Sequence, residues 1–468
     1  MKEREKFSSR LGFILISAGC AIGLGNVYKF PIWCGGYGGG IFLVFYLAFL
    51  VLLGIPVMTA EYAVGRGSQR SIANSFDVLE KKGQKWHLMK YLGVAGNYLL
   101  MMFYTCITGW FIIYFVKYLT GSIFTVTDGL SVADATGALG GVFGGMVTNL
   151  GLNVAVTVLV IILGFGICAL GLQDGVEKIT KVMMVGLLCL ILGLGIYACT
   201  LPGVGEGLRF YLIPSMTKFT EYGVTTVISA AMSQAFFTLS LGIGSIAIFG
   251  SYIEKDRSLL GESLTVVALD TFVALMSGLV IFPAFFTFNP GAERVADPGT
   301  VGASFLFTTL SSLFNNMGGG RIIGTLFFLF MIFAAMSTVV AVFENIMSFW
   351  IEWTTLSRKK IAVINMVLLA VLSLPFILAN CTDGFFSKSI FLGRNFGDFE
   401  DFLVSNFALP FGSMIYVLFC TSRYGWGWEN YFAEVNAGNG AKVPAGLRTY
   451  MSYVLPAIIF VVLIMSLF

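Results

Sequence analysis

Cys20-Ala21-Ile22-Gly23-Leu24-Gly25-Asn26 lies in the middle of the first long apolar stretch, and Leu239-Ser240-Leu241-Gly242-Ile243-Gly244-Ser245 lies in the middle of another, half-way along the chain. Each sets small and polar residues around a Gly-x-Gly. A single such motif would merely permit close helix packing. Its recurrence at equivalent positions of two halves reads instead as a pair of broken helices, whose freed backbone groups survive in hydrocarbon only where they line a binding cavity.

The composition supports a hydrocarbon setting. Of 468 residues, 57% are hydrophobic and 11% charged, where soluble domains carry about 25% charged residues; a water-soluble protein is excluded. Twenty-eight basic and 25 acidic residues leave a net charge of +3 with one His, so there is neither a basic face for nucleic acid nor an acidic tail. Cys20, Cys34, Cys106, Cys168, Cys189, Cys199, Cys381 and Cys420 form no CxxC and no paired framework, and they read as packing residues rather than as a zinc or thiol site. The basic start MKEREKFSSR leads into a run that continues past Phe30-Pro31 with no short core and cleavage site. It reads as a retained span, not a signal peptide.

About 20 apolar residues suffice to cross a bilayer, and eleven windows qualify: 11–34, 41–66, 89–120, 152–171, 180–201, 222–253, 260–288, 322–352, 360–380, 401–421 and 449–467. With the N-terminus in the cytoplasm, 20 of the 28 Lys and Arg fall on the inner side, and the loop Gly121 to Leu150 has none. The positive-inside rule therefore sets N-terminus in and, after eleven spans, C-terminus out. The Gly-rich outer segments 121–150, 202–221 and 289–320 are long enough to fold over an entrance. Because the sixth span opens a second block of five after an odd number of spans, the blocks run with opposite topology. The expectation is an all-α membrane protein, one transporter domain over 1–468, with an inverted 5+5 repeat (about 11–201 and about 222–421) and an additional eleventh helix (about 449–467).

Half-helix N–H ends suit a carboxylate and carbonyl ends suit cations. Around the first break stand the carbonyls of Gly19, Ala21 and Ile22 and the amide of Asn26, around the second Thr238 and Ser240, and in the eighth span Ala334, Ser337 and Thr338. All offer hard oxygen without sulfur or imidazole, which fits an alkali or alkaline-earth ion. Glu61 and Asp270 are carboxylates inside apolar spans and so candidates for function. Glu61 suits the N–H groups freed by the breaks. Asp270 could ligate a cation, carry a proton or hold polar neighbours, and the sequence leaves these open.

Ala21 to Asn26 followed by Lys29-Phe30-Pro31, Gly38-Gly39-Gly40, Gly54-Ile55-Pro56 with Glu61 and Gly65-Arg66, and Phe237-Thr238-Leu239-Ser240-Leu241-Gly242 resemble the neurotransmitter:sodium symporters, in their bacterial amino-acid transporter branch. The resemblance extends to Phe402 and implies sodium-coupled uptake by alternating access, with no enzyme activity. Position by position, it implies a first sodium site at the Ala21 carbonyl, Asn26, Thr238, Asp270 and the substrate carboxylate. A second would use the carbonyls of Gly19, Ile22 and Ala334 with Ser337 and Thr338. The substrate carboxylate would meet the amides of Leu24 and Gly25 and Tyr104, its amine facing Ala21, Phe237, Thr238 and Ser240. Leu100, Ile243, Thr338 and Val342 would line the side-chain pocket. Lys29 with Asp401 would form an outer gate, and Arg4 with Glu352 near Tyr252 an inner one.

Departures from the family pattern are informative. Lys29 replaces the usual Arg and loses its planar fork. Asp270 stands where many relatives have Asn, and Ala274 where chloride-dependent ones have Ser, which implies no chloride requirement beside the two sodium ions of the resemblance. Gly23 stands where amine transporters carry Asp, so a neutral, large hydrophobic or aromatic amino acid is the expected substrate. The alternatives are a ligand-gated channel or sodium-coupled transport of another carboxylate-bearing solute. His87, in the inner loop 66–90, reads as solvated and far from any nucleophile or metal cluster. Asn380-Cys381-Thr382 fits a sequon on the outer side. Short termini point to a bacterial inner-membrane protein, with the bilayer and a small amino acid as its partners.

Overall fold

A computed structural model describes residues 7–292, 295 and 305–467. Among the described residues the regular elements are helices. The membrane helices and the pieces of broken ones are α1 (Arg10–Ala21), α2 (Gly25–Gly36), α3 (Gly40–Ser68), α4 (Trp86–Thr120), α5 (Leu150–Ala169), α6 (Leu172–Ala198), α7 (Val224–Thr238), α8 (Ser245–Gly250), α9 (Leu259–Phe288), α10 (Gly320–Trp353), α11 (Arg358–Cys381), α12 (Phe396–Thr421) and α13 (Leu447–Ser466).

Nine of these are long and apolar enough to cross a bilayer, ten if α1 and α2, bent by 49° at their junction, count as one span. The segment expected as the interrupted sixth span, 222–253, is two pieces, α7 and α8, divided at the expected Gly-x-Gly and each too short to cross alone. That is why the structure yields fewer continuous spans than the eleven apolar windows. The other windows match helices to within a few residues, except that α6 begins eight residues early and α12 five residues early.

Several helices contain a wide π turn, and its position has a chemical cause. The turns Gly25–Lys29, Leu50–Gly54, Leu403–Ala408 and Tyr450–Val454 each end two residues before a proline, at Pro31, Pro56, Pro410 and Pro456. A proline inside a helix has no N–H to donate and its ring crowds the carbonyl one turn back. Widening the preceding turn relieves that crowding without ending the helix.

Burial separates the centre from the rim. In α4 and α10 78% of the apolar window is buried, against 33% in α13. These two central helices share the longest interface in the fold, and α1 packs beside them on α10, α9 and α6. The peripheral helices turn Leu163, Ile196, Val367 and Phe460 outward, as a lipid-facing surface requires. The two breaks therefore sit against the least exposed helices.

Candidate functional site

The first break comprises Ile22-Gly23-Leu24. Ile22 is extended (φ −72°, ψ 98°) and its amide still reaches the Ala18 carbonyl at 2.6 Å, but the carbonyls that follow have lost their next-turn donors. Side chains of α10 meet them. Thr338 Oγ1 lies 3.0 Å from the Gly19 carbonyl, 3.4 Å from Cys20 and 3.3 Å from Ile22, and Ser337 Oγ lies 3.3 Å from Ile22 and 2.9 Å from the Ala334 carbonyl. The five groups named from the sequence for a second sodium site thus meet in one buried oxygen cluster. Uncharged oxygens without nitrogen or sulfur are a donor set that suits sodium rather than a transition metal.

The second break runs from Leu239 to Gly244, with Ser240, Gly242 and Gly244 all at positive φ. At Gly242 the conformation is enforced twice over: φ is +93°, and a Cβ would collide with the Leu409 carbonyl of α12. Glu61 of α3 answers the amides this break exposes, accepting from Gly242 with Ile246 and Ala247 close by. This is the role foreseen for it.

Between the breaks, Asn26 Nδ2 donates to Asp270 Oδ1 at 2.8 Å and to the Asp270 carbonyl at 2.9 Å, and Thr238 Oγ1 lies 3.3 Å from both carboxylate oxygens. Asn26, Thr238 and Asp270 are all fully buried. Tyr46 reaches the same corner, and Gln234 donates to the Gly25 carbonyl at 2.7 Å. Ala274 is buried without a hydroxyl, and Ser277, one turn on, donates to the Asn26 carbonyl at 2.7 Å.

Tyr104 of α4 accepts the Leu24 amide on its hydroxyl at 2.8 Å. Beside it a small cavity of about 10 Å³ is bordered by Ala21, Gly23, Gly25, Leu100, Tyr104, Phe237, Ser240, Thr338 and Leu409. Ser240 Oγ donates to the Cys20 carbonyl at 3.2 Å. Ile243 and Val342 are fully buried but do not border this cavity; Ile243 packs on Gly93 and Gly96 of α4. Leu409 does border it and was not foreseen, because nothing in its surroundings in the sequence sets it apart from other apolar residues.

Phe237 also borders a second, outer cavity of about 300 Å³, with Leu24, Lys29, Trp33, Trp110 and Asp401 among its walls. The Lys29 ammonium lies 3.0 and 3.1 Å from the two Asp401 oxygens, 2.9 Å from Ser405 Oγ and 4.2 Å from the Phe237 ring centroid. Loss of the arginine fork therefore does not prevent a direct contact with both oxygens. Asn380 of the sequon also faces this cavity.

On the other side, Arg4 lies outside the described residues. Tyr252 approaches Glu344 (3.3 Å) and Ser348 (3.2 Å), and Glu344 pairs with Arg358. Glu352 accepts from the Ser71 amide at 2.7 Å and from Asn74 at 3.0 Å. His87 is half-buried, with Nδ1 2.6 Å from Glu80 Oε1. With Asp77 these residues bring three ligand atoms within 4.8 Å, a grouping that the sequence did not announce, although Lys90 occupies Asp77.

The sodium:neurotransmitter symporter family model matches residues 4–126 and 143–468. The chain belongs to this family. It is 31% identical to the sodium-dependent transporter YhdH of Bacillus subtilis over 93% of this chain and 91% of that one. Human SLC6A17, a sodium-dependent neutral amino acid transporter, is 27% identical over 60% of this chain and 41% of its own length. The crystal structure of MhsT in complex with L-phenylalanine is 34% identical, with a TM-score of 0.86, covering 99% of this chain and 100% of that one. Sodium symport through a bundle of membrane helices is thus the family's activity, and secondary transport rather than enzymatic turnover is its class.

Proposed function

We propose that this protein imports a large neutral amino acid together with two sodium ions by alternating access, without a chloride requirement. Its eleven spans, counting α1 with α2 and α7 with α8 as broken ones, would form two inverted blocks of five and one further helix, in a bacterial inner membrane with the N-terminus inside and the C-terminus outside.

One observation carries the reading. At Gly23 the Tyr104 hydroxyl, which accepts the Leu24 amide, borders the cavity, while Asp270, Asn26 and Thr238 gather one helical turn away. A substrate carboxylate bound to the first pair would also reach a sodium held by the second group. Leu100, Phe237 and Leu409 give the cavity apolar walls without a charged side chain, which supports a neutral side chain. The L-phenylalanine bound by MhsT and the neutral amino acids in the name of SLC6A17 support the same class.

Sodium is an adequate driver. Two cations moving with a zwitterion carry two charges, roughly 4.6 kcal/mol per 100 mV, a ceiling of about 10³-fold accumulation before the sodium gradient itself is added.

Equilibrium binding to purified protein tests the substrate class. Labelled phenylalanine and leucine should bind in sodium chloride and sodium gluconate but not in potassium chloride, and glutamate and lysine should not bind in any of them. Binding independent of sodium, or preference for a charged amino acid, would overturn the proposal.

A further inference from the structure

Glu400 is 1% exposed, and neither of its carboxylate oxygens has a hydrogen-bond partner. It stands in the first turns of α12, immediately before the gate residue Asp401, where α12 packs on α4 and α11. From α4 the titratable group facing it is Cys106, with Cys381 of α11 beyond. On its own helix Asp398 and Asp401 face the outer cavity instead. The nearby cations are engaged elsewhere: Lys29 sits on Asp401, and the Arg394 guanidinium lies 4.1 Å from the Phe402 ring centroid. Among the described residues no cation meets Glu400.

An ionised carboxylate buried without partner or donor is far costlier than the neutral acid. A side chain that only filled space between α4 and α11 would be apolar. Successive helix positions are about 100° apart, so Glu400 and Asp401 point to different sides of one rigid turn. Movement of that turn away from Lys29 would also lift Glu400 out of its contact with α4 and expose it to water.

We propose that Glu400 is a proton-binding site of the outer gate, protonated while Asp401 is closed on Lys29 and ionised when the gate opens. The proton comes from and returns to the external water. Since the closed form holds one more proton than the open one, external acidity favours closure and alkalinity favours opening.

Trp33 and Trp110 line the outer cavity and serve as native reporters. Tryptophan fluorescence of the full-length protein in sodium should be titrated from acid to mildly alkaline pH for wild type, Glu400→Gln and Glu400→Met. Signal changes that do not involve Glu400 are common to all three. One transition beyond those common changes is expected in wild type alone, with both variants staying on its acid side throughout. Should either folded variant retain the full wild-type titration, or wild type show no transition that the variants lack, the proposal is overturned. Met matches an uncharged Glu in shape, so it decides the matter if Gln folds poorly. The proposal rests on the gate reading of Lys29 and Asp401 but not on the substrate. The titration uses no amino acid, so a failed substrate panel leaves its outcome independent.

Discussion

Asn26 and Asp270, 244 positions apart in the chain, are joined twice: the Asn26 side-chain amide donates to the Asp270 carboxylate at 2.8 Å and to its backbone carbonyl at 2.9 Å. The contact ties the start of α2 to the middle of α9, and it puts a fixed negative group where two sodium ions and one substrate carboxylate would leave an excess positive charge. Uptake should therefore persist when chloride is replaced by gluconate. Asp270→Asn keeps the shape and should weaken sodium-driven uptake, and adding Ala274→Ser should restore part of it only in chloride. Transport measured in the two anions checks this; a chloride requirement in wild type would contradict it.

Ser337 touches two carbonyls of the oxygen cluster and does not border the central cavity. Ser337→Ala removes one oxygen from a desolvated site, a loss of about 1–3 kcal/mol. The sodium concentration for half-maximal uptake should rise about tenfold or more, with the substrate preference unchanged. Unaltered sodium dependence would return Ser337 to a packing role.

A Cβ on Gly23 would collide with the Tyr104 hydroxyl and Thr338 Oγ1. Gly23→Ala alone should therefore cost at least tenfold in amino-acid affinity, and Tyr104→Phe, which removes the hydroxyl, should not be additive with it. Gly23→Asp should abolish binding, because a carboxylate about 4 Å from the substrate's own adds roughly 4 kcal/mol of repulsion at an effective dielectric near 20. Binding titrations on the three variants decide between steric and charge effects.

Arg66 is fully buried at the end of α3, its Nε 2.7 Å from Glu434 Oε1 and one terminal nitrogen 2.6 Å from the Arg257 carbonyl. Removing the carboxylate leaves the buried Arg66 charge uncompensated, worth about 3–5 kcal/mol, whereas removing Arg66 leaves Glu434 its second cation, Lys255, at 2.9 Å; replacing both partners by apolar residues is often neutral. Arg66→Met and Glu434→Gln should each lower the thermal unfolding midpoint in detergent, and Arg66→Met with Glu434→Met should recover much of the loss. Equal midpoints for single and double variants would contradict the argument.

What could be read in the chain was local. Gly-x-Gly in mid-membrane marks both breaks, and Ser337-Thr338 in an apolar run marks their polar companion, because each departs from its immediate surroundings. Lys29 and Asp401 were legible as a pair only through the family resemblance. Contacts made solely by folding had no such mark: Tyr252 meets Glu344 on α10 rather than a residue near it in sequence, Leu409 reaches the cavity across the second break, and Glu434 reaches Arg66 from a separate short helix. Hydropathy alone averages over the two glycines that divide the sixth apolar window; the break was legible only because its Gly-x-Gly repeats the first one.

The most direct test of sodium-coupled neutral amino-acid import is uptake of labelled phenylalanine and leucine by proteoliposomes under separately imposed sodium, potassium, proton and chloride gradients. An inward sodium gradient alone should drive accumulation above the external concentration, increased by a negative interior and indifferent to chloride. Accumulation driven equally by potassium, or mere equilibration in every gradient, would contradict it.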